Sequence, residues 1–237
     1  MTTIGMIIFP GLTQLDLTGP YEVFSRLPDT RVLLISEKGI PLVSDGGLRF
    51  VPDLALEASP ELDILFVPGG RGVFEAMQSE KLLEFLSDRG SKAKFVTSVC
   101  TGALVLGVAG LLKGYRATTH WLSMDLLGLC GAEATQQRVV IDRNRITAAG
   151  VSAGIDFGLE VAARLFGTGT AEEIQLMMEY DPEPAFHAGS PRTADGALVS
   201  KIRDDRRQIQ LDRRDMMTKI FLSRENRQTA QGMTSFS

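Results

Sequence analysis

The sequence predicts a three-layer α/β sandwich, in which helices cover both faces of a mostly parallel sheet. Short apolar runs at residues 3–9, 32–35, 64–67 and 95–99 have the length of buried strands. Segments with helical spacing of their apolar residues lie between these runs, at residues 20–26, 73–77 and 79–89. Because strand and helix alternate, we expect consecutive strands to pair in parallel through right-handed crossovers.

The composition sets the size of the core. A chain of 237 residues with 44% hydrophobic residues can bury the core of one large domain, or of a domain with an appendage. Its formal charge of −4 gives no general reason to expect nucleic acid or a membrane as a partner. No signal-peptide pattern precedes the first strand, and no apolar run approaches the ~18 residues that span a bilayer. With only Cys100 and Cys130, the chain has neither a disulfide framework nor zinc-ligand pairs, so we expect a reducing cytoplasm.

The remaining segments extend this pattern and end in a tail. Residues 41–53 are predicted to form an inserted hairpin, residues 139–146 two strands that turn at 142–144, and residues 103–106 and 153–166 helices. An irregular segment with three prolines closes the body, so we predict a domain over 1–192 and a charged, helical tail over 193–237. Ile202, Ile209 and Met216 recur every seven residues in the tail. The tail is expected to be a charged surface helix, and the alternative is that its apolar seam packs on the body or on a second subunit.

Cys100 is the main candidate for a catalytic residue. The predicted strand 95–99 leads directly into Cys100, Thr101 and Gly102 and then into a helix, which is the geometry of a strand-to-helix nucleophile elbow. A residue at this turn points out of the carboxyl edge of the sheet, where open α/β sheets bind ligands. The helix N-terminus adds free N–H groups and a positive partial charge, so we expect it to lower the pKa of the thiol. The alternative is a small buried apolar residue, which is our interpretation of Cys130.

Two further strand ends are expected at the same edge of the sheet. Residues 64–67 are followed by Gly69 and Gly70, and the Gly70 amide is a candidate oxyanion-hole donor together with that of Thr101, although many glycine pairs are only turns. Asp16 lies in the loop predicted after the first strand, from which its carboxylate is expected to reach Cys100 as a proton acceptor or donor. The alternative role of Asp16 is to cap the helix that follows.

Four sequence blocks carry a specific resemblance to a known family. They are Gln14-Leu15-Asp16-Leu17-Thr18-Gly19-Pro20, Thr97-Ser98-Val99-Cys100-Thr101-Gly102, Arg116-Ala117-Thr118-Thr119-His120-Trp121 and Ala153-Gly154-Ile155-Asp156-Phe157. Over residues 4–191 the chain resembles the ThiJ/PfpI branch of the glutamine-amidotransferase-like superfamily, and within it the isocyanide hydratases. The resemblance implies a flavodoxin-like sandwich, a homodimer, and a lyase that adds water to a small neutral isocyanide without a cofactor.

The chain departs from the wider superfamily at three positions. Asp16 stands where many members have glutamate, which changes where a proton can be delivered. Thr101 stands where the peptidase-like members have histidine, so a Cys-His relay for amide cleavage is not expected. Ser98 replaces the first glycine of the G-x-C-x-G elbow.

The residues can be combined into a mechanism for isocyanide hydration. We expect Cys100 to attack the terminal carbon while a proton held by Asp16 is delivered to the same atom, which gives a covalent thioimidate. Asp16 then activates water, and backbone amides with the Thr101 hydroxyl stabilise the adduct that releases an N-substituted formamide. Val151 and Ile155 are expected to line an apolar pocket for the substituent, or else to be ordinary core residues.

The two histidines receive different interpretations. His120 is expected to line the pocket or to make a structural hydrogen bond, and direct catalysis is its alternative role. His187 lies in a proline-rich loop and is expected to be exposed. Because the histidines are far apart in the chain and lack clustered carboxylates, we predict no metal site.

Three other functions compete with hydration. A different cysteine chemistry on the same fold, glyoxalase or deglycase-like, would act on dicarbonyls. A redox sensor would use oxidation of a low-pKa Cys100 as its signal. Domains of this family also occur fused to helix-turn-helix domains, but the roughly forty residues after Thr193 show no pair of helices with a turn, so DNA binding is not expected.

Overall fold

A computed structural model describes the backbone of residues 1–234 and the side chains of residues 1–223. The chain divides into two compact units, Met1–Ala185 and Phe186–Ser237. The strands are β1 (Thr2–Ile7), β2 (Thr30–Ser36), β3 (Leu42–Val43), β4 (Arg49–Phe50), β5 (Leu54–Ala55), β6 (Ile64–Val67), β7 (Phe95–Val99), β8 (Arg116–Ala117), β9 (Glu133–Ala134), β10 (Val139–Asp142) and β11 (Arg145–Ala148). The α-helices are α1 (Gln14–Phe24), α2 (Val73–Ala76), α3 (Glu80–Lys92), α4 (Gly102–Val108), α5 (Ala153–Phe166), α6 (Thr168–Met177) and α7 (Gly196–Thr234), and 3-10 helices cover Leu56–Ala58 and Trp121–Cys130.

The first unit is built around one largely parallel sheet, as predicted. Seven strands lie in the order β10, β11, β7, β6, β1, β2, β5, and every neighbouring pair is parallel except β10 with β11. The predicted hairpin forms outside this sheet as β3 and β4. Because β6 lies between β1 and β7, the chain leaves these three strands at adjacent points of the same carboxyl edge.

Helices cover the sheet in two layers. On one side α1 packs against α5, and Phe24, Phe66 and Phe157 join these two helices to β6 with ring centroids 5.7–6.4 Å apart. On the other side α4 packs on β6 and β7, with α2 and α3 beside it. The predicted three-layer sandwich is therefore confirmed.

Helix α1 begins earlier than the sequence predicts, and this changes the position of Asp16. The helix starts at Gln14 instead of near Pro20, with Thr13 in the N-cap position. The Thr18 hydroxyl donates to Gln14 Oε1 at 3.1 Å, a hydrogen bond that links the first and second turns of α1. Proline favours the first turn of a helix, but here Pro20 lies inside it. Asp16 is thus in the first helical turn, and the prediction that it lies in a loop is wrong.

Two further elements complete the description. Helix α6 follows α5 after Gly167 and was not predicted from the sequence. In the second unit, α7 begins at Gly196 and covers the segment in which the sequence predicts a helical tail. The boundary at residue 192 and the packing of the apolar seam stay predictions. Among the described residues, no helix combines the length and apolar character needed to cross a membrane.

Candidate active site

Cys100 lies between β7 and α4 in a backbone conformation that few side chains adopt. Its φ is 55°, in the left-handed region. Its N–H donates to the carbonyl oxygens of Ala148 at 3.0 Å and Ala149 at 2.8 Å, and its own carbonyl accepts from the Thr119 hydroxyl at 2.7 Å. These hydrogen bonds hold the strained turn in place.

Glycine is required directly after this turn. A Cβ on Gly102 would lie 2.1 Å from the Val67 carbonyl oxygen, far inside contact distance. The close approach lets α4 start beside the end of β6. Residue 102 therefore allows the strand-to-helix turn to pack against the neighbouring strand.

Asp16 is fully buried beside the cysteine. Its Oδ2 accepts from the Gly69 N–H at 2.9 Å, whereas Oδ1 makes no hydrogen bond to a nitrogen or oxygen atom of the described residues. Burial raises the pKa of the Asp16 carboxyl from its ordinary value of 3.8 to about 7, although hydrogen bonds from Gly69 and the Cys100 thiol act in the opposite direction. A carboxyl with this pKa can both accept and return a proton near neutral pH.

The pKa of the Cys100 thiol contradicts one expectation from the sequence. Burial raises it well above its ordinary value of 9.0, and the neighbouring Asp16 carboxyl raises it further. Hydrogen bonds from the backbone and side chain of Thr101 lower the pKa, as predicted for the start of a helix, but they do not offset burial. Burial therefore favours the protonated thiol, and Asp16 is the nearby base that can remove its proton.

The glycine pair after β6 connects the other site residues. A Cβ on Gly69 would lie 2.6 Å from the Thr101 amide nitrogen and 2.8 Å from Asp16 Oδ2, so only glycine fits there. The Gly70 N–H donates to the Thr101 hydroxyl oxygen at 3.1 Å. The Gly70 amide, predicted as an oxyanion-hole donor, thus already has an acceptor, and the Thr101 hydroxyl in turn donates to the Gly70 carbonyl at 3.5 Å.

Of the remaining candidate residues, His120 and Val151 lie on the segments that hydrogen-bond to the Cys100 backbone, and Ile155 lies on α5. His120 is half-buried at the start of the 3-10 helix Trp121–Cys130, where its Nδ1 accepts from the Leu122 N–H at 3.3 Å. Val151 is half-buried in the turn before α5. Ile155 packs at the contact of α1 with α5, where its Cγ1 would lie 3.4 Å from a Cβ on Gly19. This position agrees with the alternative, ordinary packing, at least for part of the Ile155 side chain.

Some groups that hold the site were not identified from the sequence. Thr119 belongs to a quoted sequence block, but its bond to the Cys100 carbonyl was not foreseen. The carbonyls of Ala148 and Ala149 carry no sequence signal, because any residue supplies a backbone carbonyl. Only the parallel pairing of β7 with β11 brings them to the cysteine.

Two other groups were predicted to take no part in catalysis. Cys130 is buried against Gly107, and burial raises the pKa of its thiol to about 12. His187 is exposed, as expected. Among the described side chains, no group of three or more histidine, cysteine or acidic residues could hold a metal ion.

A cavity of about 810 Å³ lies near these groups but does not contain them. Its wall includes residues 10–11 and 71–72, which neighbour the start of α1, where Asp16 lies, and the loop that carries Gly70. Neither Asp16 nor Cys100 lines it.

Comparison with known proteins places the chain in a family. The DJ-1/PfpI family profile matches residues 2–164. An isonitrile hydratase of Pseudomonas putida is 49% identical over 200 residues, which are 84% of this chain and 88% of that protein. The crystal structure of a ThiJ/PfpI family protein from Pseudomonas syringae has a TM-score of 0.90 and 43% identity, and the match covers 91% of this chain and 90% of that one. A helix-turn-helix transcriptional regulator of Pseudomonas aeruginosa is 33% identical over 145 residues, 60% of this chain but only 42% of the regulator. The chain therefore belongs to the DJ-1/PfpI family.

Proposed function

We propose that this protein is an isocyanide hydratase, which adds water to an isocyanide and releases an N-substituted formamide. The observation that carries the proposal is the buried pair of Cys100 and Asp16, a thiol beside a carboxyl whose pKa is raised to about 7. Similarity to the isonitrile hydratase of Pseudomonas putida over most of both chains supports the same reaction. An isocyanide needs a nucleophile and a proton at one carbon atom, and this pair can supply both.

The first stage forms a covalent intermediate. Asp16 takes the proton from the Cys100 thiol, and Sγ attacks the terminal carbon of the isocyanide. The same proton passes from Asp16 to that carbon, so that a C–S and a C–H bond form and the product is a neutral thioimidate. Because one proton moves between the two side chains, the reaction needs the form of the pair that holds a single proton.

The second stage hydrolyses this intermediate. Asp16, again ionised, removes a proton from water while the water oxygen attacks the thioimidate carbon, and it passes that proton to the nitrogen. The Thr101 hydroxyl is proposed to turn from its 3.5 Å hydrogen bond with the Gly70 carbonyl and to donate to the developing oxygen charge. Asp16 then takes the proton of the adduct hydroxyl while the C–S bond breaks, which releases the formamide, and returns that proton to the cysteine.

The substituent of the isocyanide is proposed to contact the half-buried groups around the cysteine. Val151 and His120 lie on the two segments that flank the Cys100 turn, since residues 148–149 accept its amide and Thr119 donates to its carbonyl. We assign His120 to pocket lining, because its Nδ1 is used by the Leu122 amide. A contribution of Ile155 is limited to the part of its side chain that does not pack on α1.

The direct test is conversion of a simple aromatic isocyanide to its formamide, followed by absorbance. We expect turnover by the parent and none by Cys100→Ala, because the Cys100 thiol is the nucleophile that lies beside Asp16. The matched control is Cys130→Ala, which removes the other buried thiol and should keep its activity. Substantial turnover by Cys100→Ala would disprove the role of the cysteine, and inactivity of the parent would disprove the reaction.

The same purified protein distinguishes the competing functions. Turnover of a dicarbonyl without turnover of the isocyanide would favour a glyoxalase or deglycase-like activity. A redox sensor needs a thiolate at rest, whereas burial raises the pKa of the Cys100 thiol. We therefore expect slow oxidation of Cys100 under graded peroxide, as measured by mass spectrometry.

We also propose that the protein is a cytoplasmic homodimer. The dimer is supported by the family resemblance, and the cytoplasm by two cysteines that are both free. Sedimentation velocity tests the dimer, since a monomer at micromolar concentration would exclude it. Fractionation of cells that produce the protein tests the compartment.

A further inference from the structure

A cluster of polar side chains outside the active site has no role in the mechanism above. Arg138 contacts Asp156 Oδ2 through Nε at 2.7 Å and through a second guanidinium nitrogen at 2.6 Å. The Tyr180 hydroxyl donates to the same carboxylate oxygen at 3.0 Å. Three donors thus converge on one oxygen, in a cluster that joins the start of β10 to α5 and to the segment after α6.

Arg138 contacts both ends of the segment between β11 and α5, residues 149–152, one through its backbone carbonyl and the other through its side chain. At one end, the Ala149 N–H donates to the Arg138 carbonyl at 2.9 Å. At the other end, the Arg138 guanidinium donates to the Ser152 carbonyl at 2.9 Å. Between them, the Ala153 N–H donates to the Gly150 carbonyl at 2.8 Å and closes a turn. Arg138 therefore fixes the start and the end of one tight turn.

This turn is also the support of the nucleophile. The Ala149 carbonyl accepts the Cys100 N–H at 2.8 Å, and Cys100 has the strained φ of 55°. A residue in such a conformation keeps it only while its surroundings hold it there. The same turn adjoins His120, whose Cδ2 would lie 3.5 Å from a Cβ on Gly150. Displacement of the turn would therefore move the Cys100 backbone and His120 together.

We propose that Arg138 is a positioning residue, which acts on Cys100 through residues 149–152. Its effect on turnover rests on the hydratase activity proposed above, whereas its effect on the cysteine backbone does not. Arginine suits this role because its planar guanidinium can bind the Asp156 carboxylate and the Ser152 carbonyl at the same time. Lysine keeps the charge but presents a compact ammonium group, which cannot reproduce both contacts with the same geometry.

The test compares Arg138→Gln with a matched control, Arg143→Gln. Arg143 lies at the opposite end of the β10–β11 hairpin, is similarly exposed, and also combines an ion pair, to Asp142, with a bond to a backbone carbonyl. Two quantities are measured in parent and variants: amide hydrogen exchange of peptides that contain Cys100 and residues 149–152, and kcat with KM for the isocyanide. A purely structural role would change unfolding but not these local quantities.

We expect Arg138→Gln to speed exchange in both peptides by about tenfold or more, since the turn loses one of its two anchors. We expect kcat to fall by about 10–100-fold with KM nearly unchanged, because a small misplacement of the nucleophile acts on the chemical step. Arg143→Gln should match the parent in both quantities. Should Arg138→Gln fail to fold, Arg138→Lys decides the question, with intermediate values expected.

Two results would overturn the inference. Unchanged exchange at Cys100 in the Arg138 variants would show that the arginine does not hold the cysteine backbone. Faster exchange with an unchanged kcat would show that this support is not needed for turnover. If the parent does not hydrate isocyanides, the proposed function fails, but the exchange comparison still decides whether Arg138 positions Cys100.

Discussion

Replacement of Asp16 by asparagine should stabilise the protein while it removes activity. Folding raises the pKa of the carboxyl from 3.8 to about 7, so the unfolded chain ionises Asp16 at lower pH than the folded protein does. Each pH unit between these two values is worth ~1.4 kcal/mol, so the buried carboxylate costs the folded state ~4 kcal/mol above neutral pH. Asparagine keeps the acceptor for the Gly69 N–H and carries no charge at any pH.

The sign of the pH dependence follows from the same two pKa values. Below the unfolded pKa of 3.8, Asp16 is protonated in both states and contributes no difference. As the pH rises toward about 7, unfolding releases a proton, and the parent loses stability that the Asp16→Asn variant keeps. The advantage of the variant should therefore grow by ~3 kcal/mol between about pH 5 and about pH 8, and stay nearly constant above that.

Equilibrium unfolding in urea at the two pH values measures this difference. The matched control is Glu22→Gln, the same chemical change on the same helix at an exposed position. Its effect should stay within about 0.5 kcal/mol at both pH values, because exposed ion pairs contribute little. If the advantage of Asp16→Asn at about pH 8 does not exceed that at about pH 5, burial does not raise the pKa of this carboxyl, and the proposed proton transfer loses its basis.

Three further predictions follow from the site. The pH profile of kcat/KM should fall below about pH 7, where Asp16 becomes protonated, and a profile that is flat from about pH 5.5 to 8 would contradict the proposed base. Gly102→Ala should lower the free energy of unfolding, measured in urea, by ~3 kcal/mol or more, because its methyl group would meet the Val67 carbonyl oxygen. The control Gly169→Ala has open space around its Cβ and should stay within about 1 kcal/mol of the parent. Thr101→Val should lower kcat by about tenfold or more and lower the free energy of unfolding by ~1–3 kcal/mol, because the buried Gly70 amide loses its acceptor. Thr101→Ser should restore both quantities. Equal kcat for the valine and serine variants would exclude a role of the hydroxyl.

The fold could be predicted from the sequence because its signals are local. The strands at residues 64–67 and 95–99 and the helix at 153–166 have the predicted bounds. In each case an apolar run or a helical period ends at a residue that stops it, such as Gly167 after α5. Helix α1 is one exception, since Pro20 resembles a helix start and Gln14 to Thr18 are not strongly periodic, and helix α6 is another.

The site was predictable in its residues but not in its electrostatics. The order of strand, cysteine and glycine indicated where Cys100 would lie, since that turn is defined by adjacent residues. The pKa values depend on burial by the whole fold, which outweighs the effect of the helix start at the thiol. The hydrogen bonds that the Ala148 and Ala149 carbonyls accept from Cys100 likewise arise from strand pairing across more than forty residues of sequence.

The buried thiol of Cys100 has a consequence for how such enzymes are found. Surveys that label cysteines with general electrophiles detect thiolates that are exposed at rest. Cys100 is only 6% exposed and burial raises the pKa of its thiol, so such a survey should rank it with inert structural cysteines such as Cys130. A small uncharged reagent that fits beside Asp16 should label the Cys100 thiol, because Asp16 can remove the thiol proton as it does for the substrate. The shape of the reagent, more than its reactivity, should therefore distinguish Cys100 from Cys130.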